Sequence, residues 1–128
     1  MNQQFQDDQL LSIRPIIDIE FIENKTAVEQ FMHETLRPIL KFQHDTIRFL
    51  IETEKHFNRN QITTKSQTDA RNYIKEFISK NASLKNQLIG AVVGLMTSDE
   101  KKFFVENKTD LSKRITEMVI TRYHSIYM

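Results

Sequence analysis

The sequence predicts an all-α fold of about five helices packed around a long central helix, and three observations lead to it. Only two glycines and two prolines occur in 128 residues, too few for the tight turns of an all-β fold. Apolar residues recur at helical spacing over most of the chain. Ser, Thr and Asn precede these stretches where helix N-caps are expected. The length fits one domain over residues 13–128, after a polar, flexible segment over 1–12.

An extended arm is predicted directly after this flexible segment. Pro15 opposes helix formation, and apolar and acidic residues then alternate over positions 17–21. A period of two is typical of an extended segment with one buried face. Because no second strand is predicted, we expect the arm either to lie across its own helices or to pair with another copy.

The central helix is predicted over residues 27–57. Thr26 and Glu29 form a capping box at its start, and its apolar residues occupy an arc of roughly 200°, about twice what one packing surface needs. Pro38 removes a backbone donor, but the apolar pattern keeps its phase across it. The sequence therefore favours a kinked helix over two helices that break near Arg37.

The width of this apolar arc predicts contacts on two sides of the central helix. Three phenylalanines lie at the edge of the arc: Phe31, Phe42 and Phe49. If the chain itself leaves them uncovered, we expect them to form a homodimer interface.

Four further helices follow, each with a capping residue and an apolar stripe. They are predicted over residues 68–80, 84–96, 98–106 and 110–126. Thr97 and Glu100 form a second capping box. Gly90 and Gly94 share a face, which predicts close packing of another backbone, that of the central helix, against them.

Composition and charge narrow the compartment and the partners. The net charge is +1, and acidic residues accompany the basic ones on the polar face of the central helix, so no nucleic acid is expected to bind. There are no cysteines, which excludes disulfides and Cys-ligated zinc. The N-terminus lacks a secretory signal, and the longest apolar run, 88–96, is too short to span a bilayer. We therefore expect a cytoplasmic protein without a membrane partner.

No catalytic residue, metal ligand or cofactor is predicted. Helical di-iron proteins need Glu-x-x-His pairs, and no Glu here has a His three residues later. His33 and Glu34 begin like a zincin helix but lack the second His. Neither a nucleophile elbow nor a Gly-rich phosphate loop occurs.

Two polar residues lie within apolar stripes. Gln43 projects from the middle of the central arc, and Arg122 from the middle of the last helix's stripe. A buried charge must be paired, and Glu54 or Glu29 can supply a carboxylate. Gln43, Glu54 and Arg122 therefore define a candidate polar pocket for an anion or acid. The alternative is a structural contact, or an Arg122 that extends to water.

The stretch Thr35–Gln43, with Ser12–Pro15 before it and Asn107–Arg122 after it, resembles a family of short, uncharacterised, all-helical bacterial proteins. The resemblance covers most of the chain and implies no functional residues. Some members carry the name glyoxalase. A metal-dependent glyoxalase of the β-rich type needs paired strands and inward His and Glu ligands, whereas this chain has four scattered histidines and one predicted strand.

The first functional prediction is a non-enzymatic helical domain that acts through protein contacts, beginning with its own copy. The alternative is a small-molecule-binding or enzymatic domain that uses Gln43 and Arg122. A concave site lined by both residues would favour the alternative, and a filled core would favour the first prediction.

Overall fold

The computed structural model describes residues 3–16 and 26–127, and every regular element in these ranges is helical, so the all-α prediction is confirmed. The alternating segment over 17–21 lies outside the described residues. The elements are α1 (Gln3–Ser12), α2 (Ala27–Phe31), a π turn (Met32–Leu36), α3 (Arg37–Phe42), α4 (His44–Glu52), α5 (Asn60–Thr63), α6 (Gln67–Ser79), α7 (Ala82–Val93), α8 (Ser98–Glu106) and α9 (Lys108–Ser125).

The N-terminal residues that the sequence predicts to be flexible form α1. None of its residues is buried. The side chains of Asp7 and Arg14 nevertheless bond to the start of α8, which places this segment against the helical body.

The predicted central helix is divided, and its first interruption is the π turn before Pro38. Within the turn, the Arg37 N–H donates to the carbonyl of Met32, five residues back. A regular α-helix would press the proline ring against the carbonyl of Glu34. The wider turn gives the ring more room there.

A second interruption lies at Gln43, which has φ −90° and ψ 13° and separates α3 from α4. The α-helix then ends at Glu52, earlier than the predicted residue 57. The central element is therefore a series of short helices, with breaks at positions that the apolar pattern did not reveal.

The later helices agree with prediction to within three residues at each end. Both hydrogen bonds of the predicted Thr97–Glu100 capping box are formed. The predicted close packing at Gly90 is wrong: Gly90 is exposed, and a Cβ built there would have no atom within 4 Å.

The core lies among α3, α4, α6, α7 and α9. Its largest side chains below 2% exposure are Leu36, Ile39, Leu40, Ile47, Ile51, Ile74, Ile78, Leu84, Met96, Leu111, Ile115 and Tyr123. Helix α9 contacts α4, α6, α7 and α8. The face of α9 that these helices leave uncovered forms one wall of the candidate site.

A polar cluster closes the core beside the C-terminal end of α9. Glu52 accepts hydrogen bonds from Tyr123 Oη at 3.3 Å, Tyr127 Oη at 3.0 Å and Arg48 Nε at 2.9 Å. Burial alone would raise the pKa of Glu52, but these donors outweigh it and lower that pKa. Burial raises the pKa of Tyr123 well above its ordinary value, which favours the protonated hydroxyl that donates to the carboxylate.

Candidate functional site

An open groove between the π turn, α3 and α9 is the candidate site. Its volume is about 620 Å³, within the range of about 300–1,000 Å³ that small-molecule sites occupy. Its lining residues are Met32, Arg37 and Leu40 on one wall, and Asp110, Lys113, Arg114, Glu117, Met118, Thr121, Arg122 and Ser125 on α9.

The α9 wall follows from helical spacing. Its residues recur at intervals of three and four from Asp110 to Ser125, so they form one face of the helix. The opposite stripe of α9 is buried in the core. On the other wall, the π turn changes the helical phase after Met32. It therefore sets the direction in which the Arg37 and Leu40 side chains project.

The two acidic side chains of the groove have ionic partners, whereas three of its basic side chains do not. Asp110 accepts from Arg114 Nε at 2.8 Å, and Glu117 lies 3.7 Å from Arg71, outside the groove. Both carboxylates are thus already engaged. Three lining cations have no ion pair within the described part of the chain: Arg37, Lys113 and Arg122.

Arg122 is the most enclosed of these three cations. It is half-buried, and its Nη1 lies 3.3 Å from His44 Nδ1. A guanidinium only donates, so His44 Nδ1 is the acceptor of this hydrogen bond. Burial, and then the nearby charge of Arg37, lower the pKa of Arg122. Arg37 is exposed and, with the half-buried Arg122, lines one end of the groove.

The opposite end of the groove combines a thioether with one charged pair and with the exposed Lys113. Met32 Sδ lies 2.9 Å from Arg114 Nη1, and that arginine is paired with Asp110. Met118 lies between the two ends on α9 and is half-buried. Thioether side chains adapt to varied apolar shapes, so this end suits an apolar group.

The three predicted pocket residues have three different partners. Gln43 Nε2 donates to the Ala91 carbonyl at 3.1 Å, Glu54 accepts from Asn81 Nδ2 at 2.7 Å, and Arg122 contacts His44. Of the three, Arg122 alone lines the groove. The concave site therefore contains one of the two residues on which the alternative function was based.

The three predicted interface phenylalanines also separate. Phe31 is only 9% exposed and stacks on Phe103, with ring centroids 4.8 Å apart, so it belongs to the core and not to an open edge. Phe42 and Phe49 are 46% and 63% exposed. The two exposed rings are the part of the predicted interface that remains uncovered.

Sequence reasoning missed a second arginine cluster, at the N-terminal end of α8. Arg14 Nη1 and Nη2 donate to the two oxygens of Glu100 at 2.7 and 2.8 Å, and Nη2 also donates to the Leu95 carbonyl at 3.1 Å. Glu100 accepts further bonds from Thr97 N–H and Thr35 Oγ1. Burial alone would raise the pKa of Glu100, but its donors, Arg14 foremost, lower it.

Metal binding and membrane insertion gain no support from this structure. Within the described residues, no group of three or more His, Asp or Glu side chains is placed to hold a metal ion. No helix there combines the length and the apolar character needed to cross a membrane.

Comparisons with protein-family models, with curated proteins and with solved structures gave no match. The resemblance to short bacterial proteins therefore stays a prediction, and function has to be argued from the groove.

Proposed function

We propose that this chain is a ligand-binding helical domain whose groove between α3 and α9 binds a small molecule through an anionic group. One observation carries the proposal. Arg37 and Arg122 come from facing elements of one groove, and neither has a carboxylate partner among the described residues.

Stability alone does not account for this arrangement. Placing two like charges near each other is unfavourable, and partial removal from water increases that cost because the screening is weaker. An anion between the two guanidinium groups would offset the repulsion. Planar guanidinium groups form paired hydrogen bonds to carboxylate or phosphate oxygens, so either chemistry fits this end of the groove.

The proposal is tested with the fluorescent probe 8-anilinonaphthalene-1-sulfonate, which combines an anionic head with apolar rings. We expect saturable binding at one site on the wild-type chain. Charge-assisted hydrogen bonds contribute about 1.5–3 kcal/mol each, so Arg37→Met combined with Arg122→Met should weaken binding by at least about tenfold.

Two control variants locate the probe. Lys80→Met removes a cation whose side chain is 78% exposed outside the groove and should leave the affinity unchanged. Phe49→Glu removes an exposed ring and should also leave it unchanged. Equal affinity of the wild type and the double arginine variant, or a loss caused by Phe49→Glu, would contradict the proposed site.

A second candidate function, self-association, is favoured by Phe42 and Phe49. Their rings are 46% and 63% exposed, and they lie on either side of the break at Gln43. Phe42→Glu should convert a dimer into a folded monomer. Sedimentation equilibrium showing a monomeric wild type at high concentration would exclude this function.

A further inference from the structure

We infer that the ligand of this groove is an amphipathic acid, with an anionic head held by Arg37 and Arg122 and an unbranched apolar tail along Met118 towards Met32. This inference rests on the proposed function and adds the ligand class. It is drawn from the order in which charged and apolar groups follow one another along the groove.

The two walls fix that order. On α9, Arg122, Met118 and Arg114 follow at intervals of four residues on one face. On the other wall, Met32 contacts Arg114, while Arg37 lies close enough to Arg122 to act on its charge. Since His44, further along that wall, contacts Arg122, the two walls run in the same direction, and each end of the groove has a distinct chemistry.

The head belongs at the Arg37 and Arg122 end because only there are the guanidinium groups free of carboxylates. At the other end, Arg114 is already paired with Asp110 at 2.8 Å. A second anionic group placed at that end would meet the Asp110 carboxylate. The charge pattern thus favours a ligand with a single acidic terminus.

The apolar tail is expected to contact Met118 and Met32, the side chains that follow the arginines along the groove. Eight residues separate Arg122 from Arg114, which corresponds to about 12 Å along a helix. An extended chain of about eight to ten carbon atoms has this length. Methionine side chains accommodate such chains without a fixed shape.

The test compares four probes by isothermal titration calorimetry: sodium octanoate, sodium acetate, octyl phosphate and octyltrimethylammonium. Octanoate should bind at least about 30-fold more tightly than acetate, since each buried methylene adds to the affinity. The ammonium probe has the same tail and the opposite charge and should bind at least about tenfold more weakly than octanoate. A tighter complex with octyl phosphate would identify a phosphate head, and a tighter complex with octanoate a carboxylate head; both agree with an amphipathic acid.

Variants separate the head from the tail. Met118→Gln keeps the side-chain length but makes it polar, and should weaken octanoate binding by about tenfold or more while leaving acetate binding unchanged. Val105→Gln changes an apolar residue that is 68% exposed on α8 and should have no effect. If Met118→Gln fails to fold, Met32→Gln serves the same purpose.

The outcomes distinguish the two levels of the proposal. Equal affinities for acetate and octanoate, both reduced by Arg122→Met, would overturn the tail and leave the anion site standing. Equal affinities for octanoate and the ammonium probe would overturn the anion site itself.

Discussion

Arg14 and Arg122 come from opposite ends of the chain, and both are at least half-buried, yet their contacts differ sharply. The Arg14 side chain is 10% exposed and forms hydrogen bonds to both oxygens of Glu100 and to a backbone carbonyl. The Arg122 side chain has one hydrogen bond among the described residues, to a histidine nitrogen at 3.3 Å.

This difference separates two uses of a half-buried cation. Where the fold supplies enough acceptors, the charge fixes one element against another and is unavailable to a ligand. Where the fold supplies few acceptors and adds a second cation, the remaining donors are available. Substitution of Arg14 should therefore mainly reduce stability, and substitution of Arg122 should mainly reduce binding.

Arg14→Met is expected to have the largest effect on stability. Breaking a buried pair by removing one partner costs about 3–5 kcal/mol. Glu100 keeps its hydrogen bonds from Thr97 and Thr35, so the free energy of unfolding should fall by about 3 kcal/mol, the lower end of that range. Urea unfolding followed by circular dichroism measures this change.

Arg71→Met is the matched control for that measurement. Arg71 and Glu117 form an ion pair at 3.7 Å whose side chains are 37% and 45% exposed. Exposed pairs contribute about 0.2–1 kcal/mol. Equal losses in the two variants would show that the enclosure of Arg14 contributes nothing.

Acid should weaken the Arg14–Glu100 ion pair, because this pair depends on an ionised carboxylate. The cations of the groove do not depend on one. The pKa of Glu100 lies below its ordinary value of 4.5 in the folded chain. Its contribution is therefore complete above the pKa of the unfolded chain and is lost as the pH falls through the folded pKa.

Unfolding free energies measured from pH 6 downwards should accordingly decrease below about pH 4.5. The pKa of Glu52 is lowered as well, so a variant is needed to assign the effect. Glu100→Gln should be less stable at pH 6 and show a shallower decrease in acid. An unchanged slope would assign the acid sensitivity elsewhere.

Gly90→Ala should provide a more stable background for comparing the two arginines. Gly90 is an exposed residue within α7, and an added Cβ meets nothing within 4 Å. Alanine in a helix interior is favoured over glycine by about 0.5–1 kcal/mol. Thermal unfolding should show this gain, and a loss would mean that Gly90 has an unrecognised packing role.

Arg122→Met should have the smallest effect on stability, because no described carboxylate is left unpaired. We expect the free energy of unfolding to change by about 0.5 kcal/mol or less, as for surface substitutions, while probe binding is lost. A destabilisation approaching that of Arg14→Met would remove the contrast between the two residues.

The sequence predicted the helices well where local chemistry defines them. Thr97 and Glu100 mark the start of α8 because a capping box depends on residues only three apart. The partners of Glu100 were not predicted, since nothing local indicates that Arg14 approaches from 86 residues away.

The errors around the central helix have one physical source. Positions were projected at a fixed 100° per residue, but the π turn and the break at Gln43 change the phase of everything after them. The contact between Arg122 and His44, which directly follows this break, was therefore not predicted. Arg122 was predicted to project from the apolar stripe of α9, whereas it lies on the groove face of that helix, opposite the buried stripe.

The attachment of α1 also has a consequence for biosynthesis. Arg14 leaves the ribosome 86 residues before Glu100, and Asp7 precedes its partner Ser98 by 91. Closing loops of this length costs entropy before any contact is gained. Helix α1 is therefore expected to dock only after α8 has been completed.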